Sequence, residues 1–349
     1  MTYRIKVGTK YIGKAEPVYI IAEAGVNHNG DFKLAKQLVD SAKEIGADAV
    51  KFQTFKADDL VTSKAEMADY QKRHLKDGAS QYEMIKRLEL DYDDFRKLKK
   101  YCDEKGIQFL STPHSPSAVG FLDPLVPVFK IASGDLTNLP FLELVASCNK
   151  AIILSTGMAT LDEVSEAVHV IRDKGVNQLV LMHCVSNYPA SLETINLRAM
   201  LSLQKAFGVL VGYSDHTIGF EASVAAVALG ACVIEKHFTL DNSLPGPDHK
   251  ASMEPRQFAK LVRILRGIEK ALGDGVKKPT ESEMKNREVA RKSLIARMDI
   301  PKGSTITDKM IEIKRPGTGI KPKHLKDVLG KKAKITIKRE QILNWEMLE

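Results

Sequence analysis

Eight short apolar runs, spaced so that a helix fits between most of them, constrain this chain more than any other feature of its sequence. They occupy 19–25, 49–55, 107–113, 128–134, 151–157, 179–185, 209–215 and 231–239. Between them, 32–45, 93–105, 139–147, 160–174, 218–229 and 254–272 carry apolar residues at steps of three and four, the spacing of one helix face. Runs that are apolar throughout belong to strands buried on both sides, and strands alternating with helices form a parallel sheet covered by helices. Eight such repeats predict a closed (β/α)8 barrel of the usual size, about 250 residues. A doubly wound open sheet is the alternative, but it usually has fewer strands, and no GxGxxG follows the first run.

The chain has 349 residues, more than one barrel needs. The barrel is assigned to 1–275. The polar, charged stretch 276–291 reads as a linker, and 292–349 as a small compact domain of short strands and turns. A domain of that size is close to the lower limit for folding alone and is steadier docked on something. The net charge of +8 belongs to the tail: residues 277–349 hold 19 Lys+Arg against 10 Asp+Glu, leaving 33 against 34 in the rest. No aromatic-rich or nucleic-acid motif accompanies this charge, so nucleic acid is not expected as a partner. The four cysteines are scattered with no CxxC pair, which predicts free thiols in a reducing compartment. The first residues lack the apolar core of a signal peptide, and the most apolar stretch, 220–234, is interrupted by Glu221, Ser223 and Gly230. The expectation is a cytoplasmic protein with no membrane partner.

Chemistry in such a barrel sits at the C-terminal ends of the strands. Those ends are polar in all eight runs: Glu23, Asn27 and His28; Lys51 and Gln53; Ser111, Thr112 and His114; Lys130, Ser133 and Asp135; Ser155 and Thr156; His183, Ser186 and Tyr188; Ser214, Asp215 and His216; Glu235 and His237. Taken singly, a strand lysine is usually solvated, a histidine is usually a satisfied core residue, and a serine often caps a helix. Charged groups inside a barrel are costly unless paired or used, so eight polar ends together favour function. Glu235 and His237, two apart, point to the same side of their strand. His216 and His237 on adjacent strand ends can hold a borderline divalent metal, with water and substrate completing the shell. Lys51 and Lys130, with the hydroxyls of Thr112, Ser133, Ser155 and Ser214, make a cradle for a small phosphorylated acid. A barrel lysine can equally be a Schiff-base nucleophile, which leaves an aldolase open. A non-catalytic carbohydrate-binding protein is a further alternative, although it leaves these residues unused.

At these residues the sequence resembles the sialic acid synthase family, the nonulosonate synthases. The resemblance rests on IAEAGVNHNG (21–30), AVKFQTF (49–55), LSTPHS (110–115), KIASGD (130–135), ILSTGM (153–158), HCVSNYP (183–189), GYSDHT (212–217), ALGACVIEKHFTLD (228–241), GPDHKAS (246–252) and KRPGTGI (314–320). It implies a (β/α)8 barrel joined to a C-terminal antifreeze-like (SAF) domain. It also implies a condensation of phosphoenolpyruvate with N-acetylmannosamine and water that gives a nine-carbon 2-keto sugar acid and phosphate. The related acceptor 2,4-diacetamido-2,4,6-trideoxymannose, which makes N,N'-diacetyllegionaminate, is the other reading. By the same resemblance His216 and His237 are manganese ligands and Glu23 is the catalytic carboxylate. Lys51, Thr112, Lys130, Ser133, Ser155 and Ser214 contact phosphoenolpyruvate, with Ser186 and Tyr188 nearby. Gln53, Asp135 and Asp248 lie near the sugar. Arg315 matches an arginine that family members donate from the SAF domain of a partner subunit to the sugar's acyl group, which implies a domain-swapped homodimer. Phe52, Phe55, Asp135 and Ser186 depart from some members at the sugar end, where the acceptor is chosen.

Overall fold

The computed structural model describes residues 3–67 and 80–349. Its contacts divide the chain into two compact units, Met1–Gly273 and Asp274–Glu349.

The first unit opens with a hairpin, β1 (Arg4–Val7) and β2 (Lys10–Gly13). Eight parallel strands follow: β3 (Tyr19–Gly25), β4 (Ala49–Thr54), β5 (Gln108–Pro113), β6 (Val128–Ile131), β7 (Ala151–Ser155), β8 (Leu179–Cys184), β9 (Leu210–Asp215) and β10 (Val233–His237). The ladder runs β5-β4-β3-β10-β9-β8-β7-β6, and β6 packs beside β5, so the sheet is a nearly closed barrel. All eight apolar runs are strands, and the six helical segments form helices. The main difference lies at 128–134, where the strand stops at Ile131 and Ser133–Asp135 turns as a short 3-10 helix.

Two apolar layers hold the barrel. One lies between strands and helices, with Phe52, Phe109, Phe129 and Tyr213 fully buried among helix residues such as Leu38, Leu98 and Leu261. The other fills the barrel interior toward the N-terminal ends of the strands, where Tyr19, Ile21, Leu110, Ile153 and Met182 pack against Ile5, Val7 and Ile12 of the hairpin. The hairpin therefore plugs one end of the barrel and leaves the other for chemistry. The sequence reading missed it, because four-residue strands with two apolar side chains each leave too little periodicity to detect.

The second unit has its own core, built from Leu294, Ile300, Ile306, Ile311, Val328, Ile337 and Leu343. It contains the antiparallel pair β11 (Ser293–Ala296) and β12 (Ile311–Lys314). The boundary falls at Gly273, whose left-handed φ of +61° ends the preceding helix. The stretch read as a linker is partly ordered: Glu281–Ala290 is a helix opened by a Thr280–Glu283 capping box. Of the four cysteines, all free, three are buried and Cys148 is half-buried. No helix among the described residues is long and apolar enough to cross a membrane.

Candidate active site

Side chains from all eight strand ends line a cavity of about 270 Å3 at the C-terminal end of the barrel. A larger cavity, about 600 Å3, opens at the opposite end around Gly13–Val18 and Cys232, but it gathers no comparable set of lysines and histidines.

Four charges meet at the floor of the smaller cavity. Lys51 Nζ lies 2.5 Å from Glu23 Oε2 and 3.8 Å from Glu235 Oε2. Lys130 Nζ lies 3.2 Å from Glu235 Oε1. All four side chains are at most 5% exposed. Uncharged donors and acceptors complete the arrangement. Lys51 donates to Thr112 Oγ1 at 3.1 Å, Lys130 to Ser155 Oγ at 2.8 Å, Ser214 to Glu235 Oε1 at 3.1 Å and Gln53 to Glu23 Oε1 at 3.1 Å. The two carboxyls are driven apart. Burial and repulsion by Glu235 outweigh the pull of Lys51 and hold Glu23 above the usual carboxylate range. Burial also pushes Glu235 up, but Lys130 and Lys51 more than offset it and hold it at about 2. Two carboxyls with opposite shifts can divide proton transfer and charge stabilisation between them.

Backbone freedom shapes the cavity at two glycines. Gly25 takes a left-handed φ of +53° just past Glu23, where the β3–β4 register slips. At Gly157 a Cβ would fall 2.4 Å from Ser186 Oγ and 2.8 Å from Ser133 Oγ, so only glycine lets these hydroxyls converge.

The imidazoles of His216 and His237 face each other edge to face, 5.5 Å apart, and Tyr188 packs against both at 4.2 and 5.3 Å. His216 Nδ1 lies 2.7 Å from Val185 O, which fixes the proton there and leaves the Nε2 lone pair free. Ser214 Oγ is 3.3 Å from that Nε2, but its proton goes to Glu235. His237 Nδ1 is buried without a hydrogen-bond partner, 3.8 Å from Asp248 Oδ2. Burial pushes His216 down to about 4 and His237 well below the usual histidine range, so both are neutral, as ligands must be. Among the described residues no three His, Cys, Asp or Glu converge on one point. This donor set fits a cation that takes two imidazoles and fills its remaining positions from water or substrate.

The model of the NeuB family matches residues 38–277, and that of the SAF domain matches 291–349. The chain belongs to the NeuB family. It is 47% identical to the N,N'-diacetyllegionaminic acid synthase of Legionella pneumophila over 98% of both chains. It is 37% identical to the N-acetylneuraminate-9-phosphate synthase of Homo sapiens over 97% of this chain and 95% of that one. The crystal structure of N-acetylneuraminic acid (sialic acid) synthetase from Leptospira borgpetersenii superposes with a TM-score of 0.72 at 36% identity, covering 82% of this chain and 95% of that one.

In this NeuB-family barrel the residues Glu23, Lys51, Gln53, Thr112, Lys130, Ser133, Ser155, Ser186, Tyr188, Ser214, His216 and His237 all line the one cavity. Asp135 does not line it: its carboxylate sits 3.7 Å from His114 Nδ1, and His114 is the side chain that reaches the cavity. Asp248 lies behind His237, its carboxyl raised to about 7 by burial and by Glu23. Arg315 follows β12 and is exposed on the second unit. Glu235 and His114 were read as polar strand ends but given no role in the site assigned by sequence. Glu235 had a usable signal, since it shares a strand face with His237. His114 had little, because a histidine after a proline at a strand end is unremarkable.

Proposed function

We propose that the chain condenses phosphoenolpyruvate with N-acetylmannosamine and water, as an N-acetylneuraminate-type synthase. The observation that carries this reading is the Glu23–Lys51–Glu235–Lys130 cluster beside two neutral histidines in one barrel-end cavity. Lys51 and Lys130 hold the carboxylate and phosphate of the donor, helped by the hydroxyls of Thr112, Ser133, Ser155 and Ser214. Carbon 3 of the donor bonds to the aldehyde carbon of the open-chain sugar, and the deficiency left at carbon 2 is met by water. Glu23 takes a proton from that water, being the stronger base of the two carboxyls because it is held above the usual range, and passes it to the former aldehyde oxygen, which becomes a hydroxyl. The tetrahedral intermediate then breaks its C–O bond to phosphate, the remaining hydroxyl proton leaves with the phosphate, and the water oxygen stays as the ketone. Glu235, held ionised, balances the lysines as phosphate charge redistributes. His216 and His237 would hold a divalent cation such as manganese, and that ion would supply Lewis acidity to the sugar's carbonyl. A second acceptor, 2,4-diacetamido-2,4,6-trideoxymannose, is supported by the 47% identity to the Legionella enzyme against 37% to the human one.

The deciding assay is phosphate release from phosphoenolpyruvate with manganese and either sugar. Release with one sugar names the acceptor. EDTA is expected to bring release to background and manganese to restore it. Release that persists in EDTA, together with borohydride trapping of pyruvate on a lysine, would reject this mechanism for the Schiff-base one.

The proposal includes a cytoplasmic homodimer in which Arg315 of one subunit reaches the sugar's acyl group in the other's barrel. Its support is the family resemblance at KRPGTGI and exposed apolar side chains in the segments that follow β7, β8 and β9: Met158, which lines the cavity, Leu161, Leu192 and Ile218. Arg315→Ala is expected to raise the sugar KM by roughly 10- to 100-fold, the worth of one charge-assisted hydrogen bond, while the phosphoenolpyruvate KM stays put. Unchanged sugar kinetics would remove Arg315 from the site.

A further inference from the structure

A second ion pair lies behind the two histidines, outside the cavity. Lys236 and Asp215 are register partners on β10 and β9. Side chains alternate along a strand, so with Glu235 and His237 facing the cavity, Lys236 faces the opposite way, and Asp215 does the same between Ser214 and His216. The pair is 2.9 Å apart, with side chains 4% and 0% exposed.

Its hydrogen bonds reach past the end of the β9–β10 ladder. Asp215 Oδ1 accepts from Thr217 N at 2.9 Å and Thr217 Oγ1 at 2.7 Å, and Oδ2 accepts from Ser223 Oγ at 2.6 Å. Lys236 donates to Thr217 O at 2.8 Å. Thr217 is thus held through its amide, hydroxyl and carbonyl, and His216 sits between two anchored residues. His237 directly follows the lysine that makes the anchor. The backbone ladder alone already joins the two strands. What the pair adds is a fixed path for the chain beyond the ladder, where His216 leaves the sheet.

We infer that Asp215 and Lys236, with Ser223, are positioning residues that set the His216 and His237 imidazoles at the separation needed to share one divalent cation. This rests on the metal reading above. The bland account is that a satisfied buried ion pair only ties two strands together. The two accounts differ in what a neutral replacement does, because buried ion pairs are often exchanged for apolar groups without loss of stability, whereas groups that orient metal ligands typically carry 10- to 100-fold in metal affinity.

The test titrates Mn2+ into the full-length protein without substrates, following the free-ion signal by electron paramagnetic resonance, alongside thermal denaturation. The proteins are the unaltered chain, Asp215→Asn/Lys236→Met, Ser223→Ala, and His216→Ala as the control that removes a ligand. The double variant is expected to melt near the unaltered protein and to bind Mn2+ roughly 10- to 100-fold more weakly. Ser223→Ala is expected to weaken binding several-fold at unchanged Tm, and it decides the matter if the double variant fails to fold. Unaltered affinity in a folded double variant, or in Ser223→Ala alone when the double variant does not fold, overturns the inference and leaves the metal reading intact. Absence of Mn2+ binding by the unaltered chain overturns the metal reading and the inference with it.

Discussion

Glu23→Gln is expected to lower kcat for phosphate release by about 10²- to 10⁴-fold, the usual contribution of one positioned acid or base, while phosphoenolpyruvate still binds. The substitution keeps the shape of the side chain and an oxygen for Gln53 to donate to. It removes the proton acceptor and the charge 2.5 Å from Lys51. Lys51 then retains Thr112 and the more distant Glu235, so the donor's anionic end still meets a cation. Binding followed calorimetrically and turnover by phosphate release separate the two effects. Turnover within threefold of the unaltered enzyme would take Glu23 out of the chemistry.

Lys51→Met is expected to damage both stability and catalysis. Burial pulls Lys51 down, but Glu23 and Glu235 more than offset it and raise its pKa, so the residue is charged in place. Removing it strands Glu23 beside Glu235 with only Lys130 to balance them. Breaking a buried pair in this way costs about 3–5 kcal/mol. The expected readout is a Tm lowered by several degrees and a greatly raised KM for phosphoenolpyruvate. Adding Glu23→Gln to Lys51→Met relieves the stranded charge and is expected to recover much of the lost Tm but none of the turnover. A single variant that melts like the unaltered protein would show that the four charges are not energetically coupled.

Much of the candidate site was legible because most of its lining residues fall on or just past the apolar runs. The periodicity that marks a strand also marks where it stops, and barrel architecture makes that end the reactive one. Lys51, Lys130, Glu23, His216 and His237 were all reached this way. Asp135 follows the strand by four residues, in a short 3-10 turn that sets it beside His114, a residue lining the cavity. Turn geometry of that kind has no signature in periodicity. The hairpin that plugs the barrel escaped for the related reason that its strands are too short to repeat.

The sequence by itself determined the eight barrel strands and six of the helices between them, and hence the barrel, because apolar spacing is a local property that burial on both faces imposes within a few residues. It also determined which residues stand at the reactive end. Only the tertiary structure decided which of them act on one another. Glu23 and His237 are more than two hundred positions apart in the chain, yet they are register partners where β3 meets β10. That closure brings Glu23, Lys51 and Glu235 into one buried cluster, and the mutual field of those charges sets one carboxyl above its ordinary range and the other below it. Such a field depends on distances across the barrel and on the exclusion of water, and neither exists until the ring of strands has formed.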